Sequence, residues 1–89
     1  MTKFLLTILT QEKNVFKDNV EIVTLPGADG YFGVLAHHAP LVSMLGKGQI
    51  TVHTGEKTIQ AELGGGFAEV SQNTMTILAD SITEFQPVS

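Results

Sequence analysis

Glycine, asparagine or proline interrupts the apolar residues of this chain about every ten positions, and no stretch between interruptions holds apolar residues at helical spacing. Runs this short cannot bury a helical stripe, but they suit strands. The fold class expected is therefore all-β. Phe4, Leu6 and Ile8 alternate onto one face of a first strand, with Leu5 and Leu9 on the other. Apolar residues on both faces predict a central strand. Gln11 to Asn14 reads as a turn, and Asn19 to Leu25 as a second strand. Pro26-Gly27-Ala28-Asp29-Gly30 is turn chemistry, since proline presets φ and glycine tolerates φ > 0.

Two hairpins can be tested for register. Gln49–Thr54 and Lys57–Leu63 flank the two-residue loop Gly55-Glu56. Pairing Thr54 with Lys57 sets Val52 opposite Ile59 and Ile50 opposite Ala61. The polar residues then match as well, His53 with Thr58 and Thr51 with Gln60. Around Gln72-Asn73, Val70 meets Met75, Ala68 meets Ile77 and Phe67 meets Leu78. That loop lacks glycine, so its turn type stays open. Gly64-Gly65-Gly66, between the hairpins, predicts a bulge or corner where a strand passes from one sheet to the other. Ile82 to Phe85 reads as a short last strand stopped by Pro87.

At 89 residues the chain holds one domain, residues 1–89. Hydrophobic residues are 43% and charged residues 16%, a globular balance. The net charge is −4 and there is no arginine, so the basic footprint of a nucleic-acid binder is missing. An acidic chain is also repelled by anionic headgroups, which argues against direct lipid insertion. Without cysteine, disulfides and thiolate chemistry are excluded. No run approaches the roughly 20 apolar residues of a membrane helix, and the apolar start is too short for a signal peptide, so an intracellular protein is expected.

The minimum parts of common active sites do not assemble in the sequence. Lys57-Thr58 follows Glu56 in a hairpin rather than a glycine-rich loop before a helix. Gly27, Gly30 and Gly33 open no helix. His37-His38 is the most suggestive pair, but neighbours on an extended chain point apart and cannot easily share a metal ion. Ser43, Ser71, Ser81 and Ser89 sit in no nucleophile elbow. No catalytic, cofactor or metal site is expected.

The segment Leu25 to Leu41 resembles the signature loop of the epsilon subunit of F-type ATP synthases. Gly27, Gly30, Gly33, Val34, Leu35, His38, Ala39, Pro40 and Leu41 fit the family's run of spaced glycines ending in His-Ala-Pro-Leu. Gly46-Lys47-Gly48-Gln49-Ile50, Gly64 to Val70, and Met75 to Asp80 resemble three further family segments in the right order. Together these span most of residues 3–85. Ala36 and His37 depart from the usual Pro-Gly, and Tyr31 stands where the family often has an acidic residue.

The resemblance implies about ten short strands in a two-sheet β-sandwich, or flattened barrel. It implies a non-catalytic subunit of the central stalk that turns with the rotor. Its partners would be the gamma subunit and the c-ring, and more distantly the alpha/beta head, and it would couple proton translocation to ATP synthesis. It would lie on the cytoplasmic face of the bacterial inner membrane or the plastid stromal equivalent. Tyr31, Phe32, His37, His38, Ala39 and Pro40 would form the interface. Many family members carry a C-terminal helical hairpin, to which nucleotide binding and inhibition are attributed. No such segment precedes Ser89, so a short form or an N-terminal domain lacking the hairpin is expected, without those two properties. The alternative is a lipoyl- or biotinyl-type swinging-arm carrier with Lys57 as the modified lysine, although Lys57 lacks the Ala-Met-Lys-Met or Asp-Lys-Ala setting. A small enzyme using His38 is a further rival.

Overall fold

The computed structural model describes residues 2–88 and contains eight strands and no helix among them. They are β1 (Phe4–Leu9), β2 (Asn14–Val20), β3 (Ile22–Gly27), β4 (Gly30–Leu35), β5 (Leu41–His53), β6 (Thr58–Ser71), β7 (Thr74–Ala79) and β8 (Gln86–Pro87). Hydrogen bonding joins them in the order β2-β1-β7-β6-β5-β3-β4, with β8 on β6. β1 is central as expected, antiparallel to β2 and parallel to β7.

The all-β expectation holds, with a different strand count for a physical reason. β5 and β6 are 13 and 14 residues long. One half of this ribbon pairs Leu41–Leu45 with Gly66–Val70 and continues through β7 to β1 and β2. The other half pairs Gly48–His53 with Thr58–Leu63 and continues to β3 and β4 on one side and β8 on the other. Each layer therefore has five strand segments, which recovers the expected ten when each long strand is counted twice. The two layers are one hydrogen-bonded network folded over.

The fold-over sits at the glycines. Along β6 the buried side chains are Ile59, Ala61 and Leu63, then Ala68 and Val70; the inward side changes parity across Gly64-Gly65-Gly66. β5 changes in step, from Leu45 to Ile50 and Val52. A ribbon that turns over needs unusual backbone: φ is +97° at Gly65 and +144° at Gly66, values that side chains disfavour. A Cβ on Gly66 would also run into the Leu78 carbonyl. The triple glycine is thus the corner expected, but it lies inside one strand rather than between two.

Both hairpin registers are as expected, pair for pair. Thr54 Oγ1 accepts the Glu56 and Lys57 amides, and the Thr54 amide donates to the Lys57 carbonyl at 2.9 Å. Thr10 and Lys13 close the β1–β2 turn in the same way. Gln72 and Asn73 have φ of 51° and 58°, the two positive values of a type I′ turn. Two sequence expectations shift. The second strand is two, β2 and β3, broken at Glu21, where the chain passes between layers; Val20 pairs with Phe4 on one side of the break and Ile22 with His53 on the other. The final strand is Gln86–Pro87 instead of Ile82–Phe85, with Ile82 making a single bridge to Leu63. Pro87 is tolerated because β8 pairs on one side only.

The core lies between the layers. Leu6, Ile8, Val20, Met75 and Ile77 come from one, and Val23, Leu25, Val34, Ile50 and Val52 from the other, all without solvent exposure.

Candidate functional site: the β4 edge and the crossover after it

The signature segment contains β4 and the crossover 36–40 that carries the chain to β5. It starts at a tight hairpin, with Gly27 opposite Gly30 and only Ala28-Asp29 between them. A Cβ on Gly27 would lie 3.0 Å from the Gly30 carbonyl oxygen and 3.1 Å from the Phe32 ring, so glycine is required for that approach.

Tyr31 lies opposite Pro26. Proline has no N–H to give β5, and the β3–β5 register slips between Thr24 and Gly27. The Gln49 amide thereby loses its ladder partner, and it donates instead to the Tyr31 phenol oxygen at 2.8 Å. This satisfies an amide that the slip would otherwise strand. The Tyr31 ring itself remains 59% exposed.

Phe32 turns inward and packs, half-buried, against the core. His37 sits in a turn at φ 61° and is exposed. Its amide donates to Asn73 Oδ1 at 2.7 Å, while Asn73 Nδ2 donates to the Lys3 carbonyl at 3.1 Å. His38 is half-buried, with Nδ1 2.7 Å from the Ala39 carbonyl oxygen. Since a carbonyl only accepts, Nδ1 is the donor in this contact. Ala39 and Pro40 are exposed. The six expected interface residues thus lie along one continuous segment, five of them at the surface to some degree and Phe32 anchoring it.

Among the described residues no three His, Cys, Asp or Glu side chains gather as metal ligands. His53 bonds across its hairpin, Nδ1 to Thr58 Oγ1 at 2.8 Å. Lys57 is exposed beside its turn. The segment is built to present a surface. An open groove of about 520 Å³ runs beside it, between the two layers, lined by Asp29, Tyr31, Phe32, Val42 and Met44 among others.

Asn73 and Met44 belong to this surface, and the sequence reading did not single them out for it. Asn73 was visible only as a loop residue, and its tie to His37 spans 36 positions. Met44 precedes buried Leu45, which marks an outward residue but not its neighbourhood.

Residues 3–85 match the family model described as the ATP synthase, Delta/Epsilon chain, beta-sandwich domain. The chain is 46% identical over 84 residues to the ATP synthase epsilon chain of Protochlamydia amoebophila, covering 93% of this chain and 57% of that one. It is 40% identical over 84 residues to the epsilon chain of Caulobacter vibrioides, covering 94% of this chain and 98% of that one. The first relative is therefore much longer than this chain, and the second is nearly matched in length. Among solved structures, a chain of the Euglena gracilis mitochondrial ATP synthase, determined with OSCP, F1 and c-ring in rotational state 1, superposes with a TM-score of 0.87. It is 27% identical, and the match covers 98% of this chain and 54% of that one. A chain of the Tetrahymena thermophila enzyme shares the fold at a TM-score of 0.78 and 16% identity. Since the family model spans all but the ends, and a relative of matching length is 40% identical, the chain belongs to the ATP synthase delta/epsilon-chain β-sandwich family.

Proposed function

We propose that this chain is a non-catalytic rotor subunit of an F-type ATP synthase. It links the gamma subunit to the c-ring and so couples proton translocation to ATP synthesis, on the cytoplasmic face of the membrane or its organelle equivalent. The observation that carries this reading is the superposition, along nearly the whole chain, on a subunit of a complex containing F1 and c-ring. The architecture suits the role. One hydrogen-bonded network wraps both layers, so a force applied at the β4 edge passes through β3 to β5 and on to β6, β7 and β1 without crossing a non-bonded seam. Tyr31, Phe32 and residues 37–40 supply the contact surface. The swinging-arm alternative finds no support in the family match.

The test is reconstitution into a rotary enzyme depleted of its epsilon chain, with membrane pull-down as a second readout. The expected result is recovery of gamma and c subunits with the chain, together with restored ATP-driven proton pumping. A chain that retains neither partner and restores no pumping would overturn the proposal.

A further inference from the structure

The four lateral edges of the two layers are not alike. β2 carries Lys17 and Asp18, both exposed, and charge on an edge discourages strand pairing. The edge of β6 opposite β5 is covered by residues 81–88: Gly64 and Glu62 exchange main-chain bonds with Ser81 and Thr83, and the Val88 amide donates to the Thr58 carbonyl at 2.8 Å. The outer edge of Leu41–Leu45 in β5 is also uncharged, but Leu45 pairs there with Gly27. β4 pairs only with β3, contains no charged residue and, among the described residues, has no partner anywhere along its outer side. Because Pro26 has no N–H, the Pro26–Tyr31 rung cannot be a doubly hydrogen-bonded pair. Antiparallel alternation then points the main-chain N–H and C=O groups of Tyr31, Gly33 and Leu35 away from β3. Six residues of edge, about 20 Å, stand open.

Gly33, in the middle of this edge, is not explained by the chain's own packing. Its φ is not among the positive values, and a Cβ built on it would meet nothing closer than the Val23 carbonyl oxygen at 3.9 Å. A glycine inside a strand weakens it and often marks close approach by another chain. On the outward face Gly33 leaves a gap between Tyr31, 59% exposed, and Leu35, 50% exposed.

We propose that the free edge of β4 takes up an extended segment of a neighbouring subunit by strand addition, with an apolar side chain of that segment seated over Gly33 between Tyr31 and Leu35. This rests on the rotor reading and names the mode of contact at its interface. The occupant is a different chain, not a second copy. A two-fold pairing of β4 edges centred on Gly33 would set one gap against the other, leaving both unfilled. A register shifted to put Tyr31 over the partner's Gly33 would need the ring that the Gln49 amide holds back across β3. One shifted the other way, to put Leu35 over the partner's Gly33, would pair only residues 33–35 of each strand, because β4 ends at Leu35 and the chain turns at His37. A six-residue edge alone also falls far short of the roughly 800 Å² per partner that a stable complex buries, so the segment must belong to a subunit that makes further contacts. The bare edge selects an uncharged stretch, since no residue of β4 could neutralise a buried charge.

Hydrogen exchange of the full chain, free and reconstituted into the rotary complex, tests this directly. The amides of Tyr31, Gly33 and Leu35 should gain about tenfold or more in protection on assembly, because their N–H groups pass from water to a partner strand. Gly33→Ala and Gly33→Lys should both fold, with thermal midpoints not lowered, and Gly33→Lys should lose most of its incorporation into the complex. Assembly with these three amides unprotected, or normal incorporation of Gly33→Lys, would overturn strand addition while leaving the rotor reading in place. Failure of the unmodified chain to assemble would remove both. Concentration-dependent protection in the free chain, accompanied by doubled mass, would assign the edge to a second copy and overturn the proposal as stated.

Discussion

The two sides of the sandwich, where the layers' edges come together, are held by different forces. On the β2/β8 side Phe16 and Phe85 meet, ring centroids 5.5 Å apart and planes at 55°, an edge-tilted aromatic contact that also packs on the core. On the β4/β5 side Phe32, Ala36 and Leu41 pack on the core singly, and the tie between elements is polar, Asn73 bridging His37 of the crossover to Lys3; the Gln49 amide on the Tyr31 oxygen holds β4 to β5 within one layer. Apolar contact seals a side against water and strand addition alike. Single hydrogen bonds hold backbone in place but leave the surface around them open to another molecule. Among the described residues, the side that carries the signature segment is therefore the one with no aromatic pair across it.

Breaking the apolar seal should cost most. Phe16→Ala is expected to lose about 2 kcal/mol of stability, below the 3–5 typical of a fully buried ring because Phe16 is only half-buried. Denaturant unfolding checks it, and a loss under about 0.5 kcal/mol would mean that the ring pair does not seal that side. Asn73→Ala should cost about 1–2 kcal/mol, since two hydrogen bonds and a residue tolerant of φ 58° go together. Its distinguishing mark is local: the His37 amide should exchange faster while amides of β1 and β7 change only with global stability. Equal acceleration everywhere would show that Asn73 is merely a turn residue. The smallest effect belongs to Tyr31→Phe, about 1 kcal/mol or less, with faster exchange at Gln49. If that amide keeps its protection without the hydroxyl, the account of the β3–β5 slip is wrong.

Period-2 patterning and turn chemistry were legible in the sequence wherever both strands of a hairpin are contiguous. Every predicted pair around Gly55-Glu56 and Gln72-Asn73 is observed. Legibility failed where the chain changes layers. Asn19 to Leu25 looks like one strand, yet Glu21 divides it, because its two halves pair with different strands, Val20 with Phe4 and Ile22 with His53. The tail strand was expected to start four residues too early because β8 is two residues long and is set by its pairing with Ile59 and Gln60, which local pattern cannot anticipate. The signature segment was legible through its residue types, but not in how it is fastened.

Alternation, turn residues and the lack of any helical period decided the class of fold and the hairpin registers by themselves, because those depend on neighbours within a few positions. Only the tertiary structure decided that the two layers are one folded-over network, that Tyr31 supplies an acceptor 18 positions from the amide it satisfies, and that β4 is left with a bare edge and an unexplained glycine. Each depends on which distant backbone groups remain unpaired once all strands are in place, a property of the whole ladder that no single segment carries.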